Sequence, residues 1–340
     1  MTPGPPSSSI SPSPIEHLLL QAGLSSCVLE SEHLRAVVVP ALGGKIVSLV
    51  SKRTGTEWLL PPLQPYASAS QAHGFERSDG GGFDECLPTV GASGSASDPV
   101  PDHGDLWRVP WHGGMVGGAL ELHARAKTRS LRLTRRAIVA GACLMLDYEL
   151  ENTGNARTDV LYSAHPLLHV QAGDRIVLPS GVTSVMVESS SGERLGQPGD
   201  SIAWPFASDA MTKQIRDLSL VGSPADLSPA DISADKLFAG PLREGCCGLF
   251  RPALGEGVRL RFDPAALPYL GIWICNGAWP LTGVRKQHTV ALEPTTSDRD
   301  ALDDASAAST ALWLEPGDKP RWTLVFDLVE SEASCRQNTP

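Results

Sequence analysis

The chain has 340 residues, of which 41% are hydrophobic, and a formal net charge of −10. This content can bury a large core in one big β or α/β domain or in two ordinary ones. The acidity argues against a nucleic-acid partner, and no apolar run approaches the roughly 20 residues of a membrane-crossing helix, so no membrane partner is expected either.

The opening stretch, MTPGPPSSSISPSP, lacks the basic start and apolar run of a signal peptide. Its Pro and Ser content reads as a disordered leader over residues 1–15. LRAVVVP (Leu34–Pro40) and KIVSLVS (Lys45–Ser51) follow, joined by ALGG, which predicts a hairpin. Two loop-like segments come next. SDGGGFDECLPTVGAS, from Ser78, combines three glycines with two acids and a cysteine, and PDHGDLWRVPW carries His103. ALELHARAKT, LRLTRRAIVA and CLMLDYELEN then form a run of three, and the last two alternate apolar with polar residues as half-buried antiparallel strands do. A strand from Val160 delivers His165 just before Pro166, where it is expected to end or become an edge, because proline has no N–H for the ladder. Pro224–Phe238 reads as a surface loop with helical pieces. VRLRFDP, YLGIWICN, HTVALEP, TALWLEP and RWTLVFDLVE read as later strands. Strands at this spacing without long helices predict one all-β domain over residues 16–330, a large antiparallel β-sandwich, with a frayed tail over 331–340.

The seven cysteines are scattered and form no CxxC or Cys/His metal spacing, so no metal is expected, and reduced thiols in a cytoplasmic protein are the expectation. No phosphate-cradling loop or GxSxG is present, and no cofactor is expected. Among the nine histidines, His17, His33, His73, His112 and His123 read as structural or solvated. His165, at a strand end, fits either a cleft residue or a satisfied core histidine. His103 stands beside Gly104, which permits a sharp turn. Asp102 and Asp105 are placed to hold its imidazole in one tautomer, although a capped turn would use the same residues. Glu293 ends an apolar strand in VALEP. It is a candidate general base at a sheet rim, or a solvated strand terminus.

Taken together, LRAVVVPALGGKIVSLVSKRTGTEWL, GGFDECLPTV, PDHGDLWRVPW, SAHPLLHV, PYLGIWICNGAW and VALEPTTS resemble, in order, the galactose mutarotase-like superfamily, which includes aldose 1-epimerases. The resemblance spans roughly residues 28 to 328. It implies a supersandwich fold and an enzyme, an isomerase, that interconverts the α and β anomers of a free aldose. His165 would be the general acid, Glu293 the general base, and His103 a histidine near the ring oxygen. The glycine-rich loop would form a wall of the sugar cleft, with Asp84 or Glu85 accepting hydroxyl protons; where many relatives carry a sugar-binding arginine this sequence has SDGG, and Arg77 is the nearest arginine to take that role. Trp107 and Trp273 are the expected stacking residues. Few cations flank these segments (Arg77, Arg108, Arg285 and Lys286), so the expected partner is a neutral sugar. The alternative is a carbohydrate-binding or sensing protein on the same scaffold, since a fold does not fix a function. The protein is expected to be a monomer or homodimer.

Overall fold

The computed structural model describes residues 13–67, 74–229, 231–283 and 285–337. Two large antiparallel sheets carry the fold. From edge to edge, the ten-stranded sheet runs Cys27–Glu30, Leu34–Val39, Lys45–Ser51, Phe83–Cys86, Ser163–His169, His288–Thr295, Tyr269–Asn276, Ser233–Ala239, Ser184–Ser190 and Ser201–Ala203. The eight-stranded sheet runs Arg175–Val177, Cys246–Arg251, Glu256–Phe262, Arg321–Val329, Cys143–Asn152, Leu131–Ala140, Ala119–Arg125 and His112–Val116. The alternation read in the sequence is the cause of this layering. In Leu131–Ala140, Leu131, Leu133, Arg135 and Ala137 are buried while the residues between them are not. A period of two sends one set of side chains to each face.

The inner faces of the two sheets meet in one apolar layer. Phe83, Leu168, Ile272 and Leu292 come from one sheet and Leu133, Leu146, Leu260 and Phe326 from the other. A charged pin crosses this layer. Arg135 Nη1 and the hydroxyls of Tyr148 and Tyr162 each donate to the Glu85 carboxylate at 2.8 Å. All four side chains are buried. Burying that charge is tolerable because its lone pairs are satisfied.

The all-β sandwich agrees with the sequence reading, but four local expectations change. Residues 1–12 of the expected leader lie outside the described residues, while Pro14–Gln21 is a helix whose first turn Ser13 and Glu16 close as a capping box. Its Ile15 and Leu19 pack on Val37, Val39 and Tyr66. The strand bearing His165 does not end at Pro166 and is not an edge. It runs on to His169 between two neighbours. Pro224–Asp226 is a single 3-10 turn, but the end of the expected loop, from Ser233, lies in the strand Ser233–Ala239. At the other end, Glu332–Cys335 is a short helix with Cys335 buried, where a frayed tail was expected.

Candidate active site

The outer face of the ten-stranded sheet, turned away from the eight-stranded one, holds the site. Residues alternate across each strand. The neighbours of Glu85, Ala164, Leu237, Ile272 and Leu292, all in the inner layer, therefore project the other way. That places Asp84, Cys86, His165, Lys236, Trp273 and Glu293 on one surface. The register makes five strands contiguous there: Asp84 opposes His165, Ala291 opposes Trp273, and Trp273 opposes Lys236. A cavity of about 430 Å³ stands over them, lined by Phe75, His103, His165, Lys236, Trp273, Trp279, Gln287, Glu293 and Asp300 among others.

His165 and Glu293 meet at its floor, with Nε2 3.8 Å from Oε1. The strands carrying them are registered at Ser163–Thr295 and again from Leu167–Ala291, with no paired residues between. That interval contains Pro166 and Pro294, which have no N–H to give to a ladder. Each proline directly follows its functional residue, so the sheet loosens where the two side chains stand. On the next strand, Gly271 opposes Glu293. A Cβ there would lie 3.2 Å from Glu293 Oε2, so the missing side chain makes room for the carboxylate.

Lys236 Nζ is 2.5 Å from Glu293 Oε2 and 3.2 Å from an Asp300 oxygen. Ser163 Oγ also donates to Oε2, at 3.5 Å. The other oxygen, Oε1, has no hydrogen-bond partner. Burial pushes the Glu293 carboxyl above its ordinary value, and the Lys236 charge opposes that shift. Burial disfavours the Lys236 ammonium too, but Asp300 and Glu293 outweigh it and hold its pKa above the usual lysine value. Burial, reinforced by charge at His103 and by the ammonium groups of Lys236 and Lys45, holds His165 well below the ordinary imidazole value.

His103 arrives from the loop Pro101–Asp105, which is zipped against the chain leaving the Phe83–Cys86 strand. His103 N donates to Val90 O at 2.6 Å and Asp105 N to Leu87 O at 2.7 Å. The turn requires Gly104: its φ is +69°, and a Cβ would fall 2.1 Å from Leu87 O. Asp102 Oδ1 lies 3.0 Å from His103 Nδ1. Asp105 instead receives Lys127 N, Thr128 N and the Thr128 hydroxyl. The His103 ring stacks on Phe75 at 3.5 Å between centroids and meets the His165 ring edge-on at 5.0 Å.

Three expected ligands come together in this cavity: His165, Glu293 and His103. Trp273 joins them, its Nε1 donating to Gln287 Oε1 at 3.3 Å. The other four are elsewhere. Asp84 lies fully buried beneath the cavity, 3.0 Å from Lys45 Nζ, and burial lifts its carboxyl to about 6. Glu85 is the charged pin of the inner layer. Trp107 is buried behind the site and meets Phe75 edge-on, and it is Trp279 that lines the cavity. Arg77 is exposed on the turn Phe75–Arg77 and does not line the cavity. The glycine run also works differently from its expected role as a sugar-facing wall. Gly81 lies where a Cβ would meet Leu60 O at 2.4 Å, so the close approach is to backbone. Gly80 O accepts the Gln287 amide at 3.0 Å and so orients that side chain. The sequence reading of His73 lies outside the described residues.

Lys236, Asp300, Gln287, Phe75 and Cys86 were not singled out. Only Lys236 carries a signal: a lysine in SADKLFA directly followed by three apolar residues.

The sequence matches no protein-family model and no curated protein. Solved structures do match. A galactose mutarotase-like protein from Lactobacillus casei ATCC 334 aligns at a TM-score of 0.60 and 16% identity, covering 90% of this chain and 100% of its own. The galactose mutarotase related enzyme from Lactobacillus acidophilus gives 0.61 and 16%, covering 90% and 98%. A galactose mutarotase-like protein from Clostridium acetobutylicum gives 0.60 and 12%, covering 90% and 96%. The chain has the galactose mutarotase-like fold. No helix among the described residues is long and apolar enough to cross a membrane.

Proposed function

We propose that the protein is an aldose 1-epimerase-like enzyme acting on a free, neutral aldose. The observation that carries this reading is the His165–Glu293 pair, 3.8 Å apart at the floor of a cavity with two indole side chains. Mutarotation removes the proton of the anomeric hydroxyl, opens the hemiacetal and delivers a proton to the ring oxygen. Rotation about C1–C2 and reversal of both transfers then give the other anomer. The pair must carry one proton in total. Glu293 Oε1, free of partners, takes the anomeric proton. His165 gives one to the ring oxygen, and an imidazole held below its ordinary value gives its proton up readily. His103, whose Nδ1 stands 3.0 Å from Asp102 Oδ1, would contact the sugar near that oxygen.

A neutral substrate fits the charge balance. The lysine of the cavity is already held by two carboxylates. A phosphate or carboxylate on the sugar would have to compete with Glu293 and Asp300 for it.

The test is polarimetry of freshly dissolved α-glucose and α-galactose. The wild type is expected to speed mutarotation, and Glu293→Gln and His165→Asn to lose about 10²–10⁴-fold in kcat/KM. Folded wild-type protein that accelerates neither sugar would favour the carbohydrate-binding alternative.

A further inference from the structure

Cys86 lies one strand away from His165, on the same face of the sheet. Its thiol, one nitrogen of His165 and one of His103 all lie within 4.8 Å of one another. The three residues are far apart in sequence, so no metal spacing announces them, and the register of Phe83–Cys86 against Ser163–His169 brings them together. Two further observations point to a cation. His165 is only 6% exposed, and its Nδ1 has no hydrogen-bond partner. A carboxylate oxygen of Asp102 stands 3.0 Å from His103 Nδ1, within reach to become the outer partner of a metal-bound imidazole, and that buried nitrogen, like His165 Nδ1, makes no hydrogen bond.

We propose that Cys86, His103 and His165 bind one thiophilic divalent cation of the zinc class, and that the ion stops proton transfer by occupying His165. The second half of this proposal rests on the epimerase reading. A tetrahedral site with zinc–nitrogen bonds of about 2.0–2.1 Å and a zinc–sulfur bond of about 2.3 Å has edges of roughly 3.3–3.6 Å, so donors that lie within 4.8 Å of one another must close by up to about an ångström on binding. Two neutral imidazoles and one thiolate suit a borderline-soft ion better than calcium or magnesium, which seek oxygen. A water or a sugar hydroxyl would complete the shell at the fourth position. A dication displaces the thiol proton to solvent when the thiolate binds it, so binding weakens as pH falls.

The experiment titrates the metal-free full-length protein with Co²⁺ and reads the absorption spectrum and the bound metal. One cobalt per chain is expected, with tetrahedral visible bands and a near-ultraviolet thiolate-to-metal band that Zn²⁺ abolishes. Cys86→Ser should lose the thiolate band. Asp102→Asn, at an exposed side chain that should not disturb folding, should weaken binding by about 10–100-fold. In the polarimetric assay one equivalent of Zn²⁺ should stop the wild type, and EDTA should restore it. Absence of the thiolate band, its survival in Cys86→Ser, or unchanged affinity in Asp102→Asn would overturn the site. Cobalt binding as expected in protein that shows no mutarotation when metal-free would keep the site and overturn both the epimerase reading and the switch.

Discussion

At the scale of single residues, Lys236 sets the proton affinity of the pair. Its positive charge favours the Glu293 carboxylate and disfavours a protonated His165, so it lowers both pKa values. The productive form carries one proton and exists between the two macroscopic steps. Replacing the ammonium with an uncharged side chain of similar length should raise both. In Lys236→Met, both limbs of the kcat/KM–pH profile are therefore expected to move to higher pH, by roughly one unit or more. A profile that does not move would show that the ammonium is not felt by the pair. Single residues were also where the sequence was least legible. His165 and Glu293 could be named because each ends a run of strand residues before a proline. Asp84 and Glu85 could not be sorted by sequence. They are adjacent acids in one strand, and alternation sends one beneath the cavity and the other into the inner layer.

At the scale of elements, the site depends on strands that depart from regular pairing. The Pro166 and Pro294 interval loosens two strands, and Gly271 leaves a third without a side chain beside the carboxylate. A methyl group at Gly271 would press on Glu293 within a strand whose φ alanine tolerates. Gly271→Ala is expected to lower kcat by about 10–100-fold, the scale of a misplacement of the order of an ångström, while thermal stability changes little. A variant that loses both equally would place the effect in folding. The strands themselves were mostly legible. LRLTRRAIVA and YLGIWICN occupy the segments their patterns predict. The strand Ser233–Ala239 is hard to see in the sequence because SADKLFA does not alternate and prolines and serines precede it. The first helix was missed because SPIE, a serine with glutamate three residues on, was read as part of a proline-rich tail and not as a capping box.

At the scale of the whole molecule, the two sheets are held by more than apolar contact. Glu85 from one sheet and Arg135 and Tyr148 from the other form a buried network. Removing the carboxylate would leave a buried guanidinium without its counter-charge. Glu85→Gln is therefore expected to cost about 3–5 kcal/mol of unfolding free energy, measured by urea denaturation. A loss below about 1 kcal/mol would mean that Arg135 finds other partners or water. The overall architecture was legible in the sequence because a period of two, repeated over many strands, leaves few arrangements other than stacked antiparallel sheets. The pairing order was not legible, since strands far apart in sequence, such as Phe83–Cys86 and Ser163–His169, become neighbours only through long-range register.

The loop that presents His103 also limits which residues can stand there. His103 itself has a φ of 58°, and Gly104 follows at 69°. Two successive left-handed positions exclude β-branched and bulky apolar side chains on steric grounds, and among non-glycine residues they favour histidine, asparagine and aspartate. All three can exchange protons or hydrogen bonds with a ligand. The backbone therefore filters the variation open to this position before any demand of chemistry applies. Apart from glycine, the substitutions that the turn accepts most readily keep a polar group at the mouth of the cavity, so the loop can drift in sequence while the site stays hydrophilic.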